Sequence, residues 1–158
     1  MSKAVYAGTF DPITNGHLDI AQRASKLFDE IIIAVAEDNY KQTLFSTEER
    51  CQLVRQATGD IANATVDFFS GLLVDYCRRQ GAGFIVRGLR VVLDFEKELQ
   101  MALMNRSLYD KVDTVFLMGE APYLFVSSGL VKNAAQLGGD ISDLVPPEVA
   151  RALVSKFT

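Results

Sequence analysis

Short apolar runs alternate with longer stretches of helical periodicity along almost the whole chain, and this alternation restricts the fold more than any other feature. Lys3 to Ala7 is a brief apolar run closed by Gly8. From Gly16, apolar residues recur at Leu18, Ile20, Ala21, Ala24, Leu27 and Phe28, the spacing of one helical face. Ile31 to Ala36 is a continuous β-branched run of the kind found in strands covered on both faces. Ser46, followed three residues later by Glu49, reads as a capping box, and the helix it opens stops near Gly59. Thr65 to Phe69, Gly83 to Val86 and Thr114 to Met118 read as further strands. Helices are expected over Leu72–Arg79, Val91–Leu108, Ser127–Leu137 and Pro146–Phe157. Strands separated by helices call for right-handed crossovers and a parallel sheet. The expected fold is α/β: a Rossmann-like, doubly wound, five-stranded parallel sheet with helices on both faces, a single domain over residues 1–158.

Composition removes several classes of function. Lys and Arg number 16 against 20 Asp and Glu, a formal charge of −4, so gripping nucleic acid or an anionic membrane is not expected. No apolar run approaches a membrane span, and Asp11 and Pro12 interrupt the place where a signal peptide needs its apolar core. Cys51 and Cys77 show no redox or metal spacing, and with one histidine no structural zinc site can be assembled. A cytoplasmic protein is expected.

In an open parallel sheet, ligands bind beyond the carboxyl ends of the strands. The segments there are Gly8 to His17, Asp38 to Lys41, Arg87 to Arg90, and Tyr123 to Gly129 with Lys132 one turn further on. An acidic chain thus gathers His17, Lys41, Arg87, Arg90 and Lys132 at one edge, beside hydroxyls and helix N-termini. That combination suits a polyanion, phosphate above all.

Singly, each residue has a plainer reading. His17 shares a stripe with Ile20, Ala21 and Ala24 and could be a core residue, though its place in a first turn at the ligand edge favours a site. Arg87 could pair with a surface carboxylate, Arg90 with Asp94 one turn on, and one of Ser127 and Ser128 could simply cap a helix. Lys41 could be a solvated loop residue and Glu98 a solvated helix residue. Their common location is the argument. The long helix adds a separate signal. Val92, Phe95, Leu99, Ala102 and Leu103 form one apolar stripe, and Met101, Met104 and Leu108 form another, which points to a contact between subunits.

Gly8-Thr9-Phe10-Asp11-Pro12 followed by Thr14-Asn15-Gly16-His17 resembles the nucleotidyltransferase superfamily with its H-x-G-H or T-x-G-H signature. Joined to Arg87-Gly88-Leu89-Arg90, Asp94-Phe95-Glu96 and Ser127-Ser128, the likeness extends through the chain to the bacterial phosphopantetheine adenylyltransferase family. The resemblance implies reversible transfer of AMP from ATP to 4′-phosphopantetheine, giving dephospho-CoA and pyrophosphate, with Mg²⁺, a homohexamer and feedback inhibition by CoA. It implies His17 as transition-state stabiliser, with Lys41, Arg90 and Ser128 also catalytic. Thr9, Phe10, His17, Gly88, Leu89, Arg90, Glu98 and the run Tyr123, Leu124, Phe125, Val126, Ser127, Ser128 and Gly129 would meet ATP. Thr9, Lys41, Leu73 and Arg87 would meet the phosphopantetheine, and no side chain is assigned to the metal. The sequence departs from the family pattern around Lys41, where prolines and a second lysine are usual, and at Gly129, where a third hydroxyl is common.

A phosphate monoester is already an adequate nucleophile, so such a site needs no general base. It must align two mutually repelling anions and stabilise charge at Pα and on departing pyrophosphate. The alternatives are a cytidylyltransferase or nicotinamide mononucleotide adenylyltransferase of the same superfamily, or a non-catalytic nucleotide- or CoA-binding protein. The intact R-G-L-R segment argues against the first two. Retention of Thr9, His17, Lys41, Arg87 and Arg90 together argues against the last.

Overall fold

The computed structural model describes residues 1–37 and 42–158, and within the long helix the side chains of Val92 and Leu93 fall outside the description. Five strands form one parallel sheet: β1 (Lys3–Gly8), β2 (Glu30–Ala36), β3 (Ala64–Phe69), β4 (Phe84–Leu89) and β5 (Asp113–Met118). Their order is β3-β2-β1-β4-β5, so the direction of winding reverses between β1 and β4. The helices are α1 (Asn15–Ser25), α2 (Thr47–Thr58), α3 (Leu73–Gln80), α4 (Val92–Leu108), α5 (Ser128–Gln136) and α6 (Pro147–Phe157), with a 3₁₀ turn at Ala121–Tyr123. The expected doubly wound architecture is present, strand for strand and helix for helix.

The pleat sorts the strand residues to two cores. Ala4 and Tyr6 of β1, Ile31, Ile33 and Val35 of β2 and Val86 of β4 meet buried residues of α1, α2, α5 and α6. Val5, Ala7, Ile32, Ala34 and Ile85 face the other way, against Val74, Tyr76 and Cys77 of α3. β1 and β2 are therefore apolar at every central position, as two-sided coverage requires. The α4 side is thinner, and none of the described side chains of α4 is buried.

One boundary differs from the sequence reading in a way that matters to function. Arg87, Gly88 and Leu89 are not a loop after β4 but its last three residues, paired with Phe116, Leu117 and Met118 of β5. Gly88 makes this possible because a Cβ there would lie 3.0 Å from Cγ1 of Ile20 on α1. The strand thus carries Arg87 rigidly to the carboxyl edge.

Candidate active site

The Thr9–Thr14 turn leaves β1 through Phe10, which takes a left-handed backbone conformation (φ 51°), uncommon for a bulky residue. Burial compensates: the Phe10 ring packs edge-on against Tyr6 at 5.4 Å and His17 at 5.0 Å between centroids. Thr14 then caps α1. Its Oγ1 accepts the His17 N–H at 3.3 Å, while His17 Nδ1 accepts the Thr14 N–H at 3.0 Å, a capping box with imidazole in place of the usual carboxylate. With Nδ1 an acceptor, the neutral ring carries its proton on Nε2. Burial, and then the charges of Arg90 and Arg87, push the imidazole down to about 4, so at neutral pH it is an uncharged N–H donor.

His17 lines a cavity of about 270 Å³ at the β1–β4 switch point. From β1 and its turn come Tyr6, Ala7, Gly8, Thr9 and Phe10; from α1, Thr14, Gly16, His17 and Ile20; from β4 and its end, Arg87, Gly88, Leu89 and Arg90. Asp94 and Glu98 of α4 and Gly119, Tyr123, Val126, Ser127 and Ser128 complete it. Of the residues expected at the site, Thr9, Phe10, His17, Arg87, Gly88, Leu89, Arg90, Glu98, Tyr123, Val126, Ser127 and Ser128 are brought together here. Leu124, Phe125 and Gly129 are not among its lining, and neither is Leu73, which packs on the α3-side core as the first residue of α3. Lys41 lies outside the described residues.

Both arginines are pre-aimed. Nε and Nη2 of Arg87 donate to Glu98 at 2.8 and 2.6 Å, and Nη1 donates to the Ala7 carbonyl at 2.5 Å. Arg90 donates to the Val126 carbonyl at 2.8 Å and to Asp94 at 3.2 Å. The simple pairings allowed by the sequence thus exist, but inside a cavity, where they hold planar cations in place for an anion. Ser127 is the capping serine, accepting the Leu130 N–H at 3.1 Å, whereas Ser128 donates to the Pro12 carbonyl at 2.8 Å. The N-termini of α1 and α5 therefore meet over one cavity, which places positive dipole ends beside the arginines.

Two buried charges were not singled out as site residues. Arg50, 2% exposed, donates to the carbonyls of Thr9 at 2.7 Å, Ala36 at 2.9 Å and Phe45 at 3.3 Å, tying the ends of β1 and β2. Asp11 accepts from the N–H groups of Leu44 and Phe45, each at 2.9 Å, and from Lys132 Nζ at 2.8 Å. Lys132, expected among the anion-facing cations, points to Asp11 and is absent from the cavity lining. A lone arginine in an amphipathic helix carries no sequence signal of burial, so Arg50 could not be read in advance.

No group of three or more His, Cys, Asp or Glu fit to cage a metal occurs among the described residues. The cavity's two carboxylates, Asp94 and Glu98, are each engaged by an arginine. The donor set suits a cation that arrives on phosphate oxygens and keeps its water, not one held by a protein cage.

The chain matches the model of the cytidylyltransferase-like family over residues 5–134. It is 58% identical over 157 residues to a phosphopantetheine adenylyltransferase of Moorella thermoacetica, covering 99% of this chain and 98% of that one. It is 52% identical to that of Heliobacterium modesticaldum, covering 99% and 94%. A putative nicotinate-nucleotide adenylyltransferase from Vibrio parahaemolyticus superposes with a TM-score of 0.70 over 98% of this chain and 99% of its own, at 18% identity, a likeness of fold alone.

Proposed function

The chain belongs to the phosphopantetheine adenylyltransferase family of nucleotidyltransferases, and we propose that residues 1–158 form one catalytic domain transferring AMP from ATP to 4′-phosphopantetheine. The observation that carries the mechanism is the convergence of Arg87, Arg90, the His17 imidazole and two helix N-termini on one cavity at the sheet's switch point.

An oxygen of the phosphopantetheine phosphate attacks Pα of ATP in line, the bond from Pα to the bridging oxygen breaks, and pyrophosphate leaves with that electron pair. In this reading Arg87, held in orientation by Glu98, grips the acceptor with Thr9 and Lys41, while Leu73, beyond the cavity lining, meets the acceptor's far end. Thr9, Phe10, His17, Gly88, Leu89, Arg90 and Glu98 hold ATP together with Tyr123, Leu124, Phe125, Val126, Ser127, Ser128 and Gly129. His17 donates from Nε2 to oxygen at the pentavalent phosphorus, while Lys41, Arg90 and Ser128 stabilise the same charge. Neutral histidine suits this task, because it stabilises developing charge without trapping the ground-state anion as an imidazolium would. Mg²⁺, carried on the triphosphate, would neutralise charge on the departing pyrophosphate.

A cytoplasmic location fits the substrates and the two buried thiols, Cys51 and Cys77. Among the described residues no helix is long and apolar enough to cross a membrane. The exposed apolar side chains of α4 support a homo-oligomer, and the family expectation is a hexamer with CoA, which shares the product's pantetheine arm, as feedback inhibitor.

Pyrophosphate release from ATP and Mg²⁺ tests the reading directly. Release is expected only when 4′-phosphopantetheine is added, and CTP in place of ATP should give little. Release that ignores the acceptor, or that prefers CTP, overturns it.

A further inference from the structure

Lys132 sits one turn into α5 and would ordinarily be read as a phosphate ligand, yet its ammonium lies 2.8 Å from Oδ2 of Asp11, whose side chain is 5% exposed. Asp11 belongs to the turn between Thr9 and Thr14, which links Thr9 and Phe10 to the first turn of α1, where His17 lies. A second bond joins the same two elements, since Ser128 Oγ donates to the Pro12 carbonyl at 2.8 Å. The start of α5 is thus fastened to the β1–α1 turn twice, once through a hydroxyl and once through a part-buried ion pair.

We propose that Lys132 is a positioning residue, not a phosphate ligand: it neutralises the buried Asp11 carboxylate and holds the N-terminus of α5 in register with that of α1. This deepens the proposed function and rests on it. The physical need is specific. Asp11 must be an acceptor in order to hold Leu44 and Phe45 through their N–H groups, which requires a carboxylate with two available oxygens. That carboxylate stands beside a cavity meant for triphosphate, where an uncompensated negative charge would repel the substrate and be costly to bury. Lysine from α5 removes the charge problem and, in the same contact, sets the distance between the two anion-facing helix ends. Had Lys132 been the phosphate ligand, Asp11 would compete with ATP for it.

Three variants decide the matter, read as KM for each substrate, kcat, ATP affinity by calorimetry and thermal midpoint. Lys132→Met leaves the Asp11 bonds to Leu44 and Phe45 in place but unpairs the carboxylate. It is expected to raise KM and Kd for ATP by about thirtyfold or more, the low end for truncating one partner of a buried charge pair, with KM for 4′-phosphopantetheine unchanged. Lys132→Arg, which keeps the charge and the reach, should recover most of the loss. Asp11→Asn, which also frees a backbone donor at residues 44–45, is expected to raise KM for both substrates. The Asp11→Asn/Lys132→Met double variant should bind ATP no worse than Asp11→Asn alone, since the lysine acts through the carboxylate. Losses that multiply in the double variant would show that Lys132 touches the nucleotide, and would overturn the proposal. A lowered thermal midpoint with unchanged ATP affinity would equally overturn it, leaving a merely structural tie. If Lys132→Met does not fold, Lys132→Gln carries the same comparison. Absence of turnover in the wild-type chain would instead count against the proposed reaction, and ATP affinity would still report on the ion pair.

Discussion

His17 Nδ1 accepts the backbone N–H of Thr14 at 3.0 Å, so the residue that caps α1 also fixes which ring nitrogen faces the cavity with a proton. Because His17 is the single histidine of the chain, its titration can be read without assignment. Nitrogen shifts in a long-range ¹H–¹⁵N spectrum should show Nδ1 unprotonated and Nε2 protonated at pH 7, with a midpoint near 4 in the unliganded protein. Saturating ATP should raise that midpoint, since polyphosphate offsets the charges of Arg90 and Arg87 that depress it.

The same shift has a sign for stability. Between about pH 6.5 and 4 the unfolded chain binds a proton at this histidine that the folded chain does not. His17 therefore contributes fully above 6.5 and loses its contribution as pH falls through that window. Replacing His17 by Gln should flatten the acid side of the stability curve, measured as urea midpoint against pH. It should also lower kcat by roughly 10²–10³, the scale for losing one preorganised donor to a transition-state oxygen. An acid limb unchanged by the substitution would place the titrating group elsewhere.

Arg87 tests geometry against charge. Its two parallel bonds to Glu98, at 2.6 and 2.8 Å, use the fork of a guanidinium that lysine lacks. Arg87→Lys keeps the charge but not the fork, and KM for 4′-phosphopantetheine is expected to rise about tenfold, with a smaller effect on KM for ATP. A conservative result, with both constants unchanged, would mean that the acceptor phosphate needs only a positive charge there.

Gly88 is a packing constraint that looks like a motif. A Cβ at this position would stand 3.0 Å from Ile20 Cγ1 and 3.4 Å from its Cδ1, and Ile20 is only 4% exposed. Gly88→Ala should cost about 1–3 kcal/mol in chemical denaturation, the usual range for overpacking. By pushing α1 away from β4 it should also lower kcat, because His17 rides on that helix.

How much of this was legible beforehand follows from which interactions are local. The strands and helices are readable because each is announced by its own periodicity or cap, as with Ser46 and Glu49 at the start of α2, where both capping bonds form. The gathering of most candidate residues at one edge is readable too, because parallel sheets deliver their loops there. The roles of single cations are not. Arg87 and Glu98 are eleven residues apart, Asp11 and Lys132 one hundred and twenty-one, and Arg50 and Thr9 forty-one. Partners at such separations are chosen by topology, which no local pattern encodes. The sequence pattern ends β4 at Val86–Arg87 for a related reason: Gly88 carries no strand signal until the β5 partner that keeps it in the ladder is known.

The α4 surface makes the last prediction. Phe95, Leu99, Met101, Leu103, Met104 and Leu108 are 40–62% exposed in the single chain, and Met118 at the end of the adjoining edge strand β5 is 70% exposed. On α4 these side chains form two apolar stripes, Phe95, Leu99 and Leu103 on one and Met101, Met104 and Leu108 on the other, with little burial inside the subunit to explain them. Removing them should therefore leave the fold intact while weakening assembly. Leu103→Lys combined with Met104→Lys is expected to shift the particle toward smaller species in sedimentation velocity at micromolar concentration, with the far-ultraviolet circular dichroism unchanged. The cavity also draws Asp94 and Glu98 from this helix, so loosened contacts should raise KM for the substrates before they alter the monomer's own denaturant midpoint. A wild-type chain that sediments as a single subunit would remove the premise, and the apolar face of α4 would need another partner.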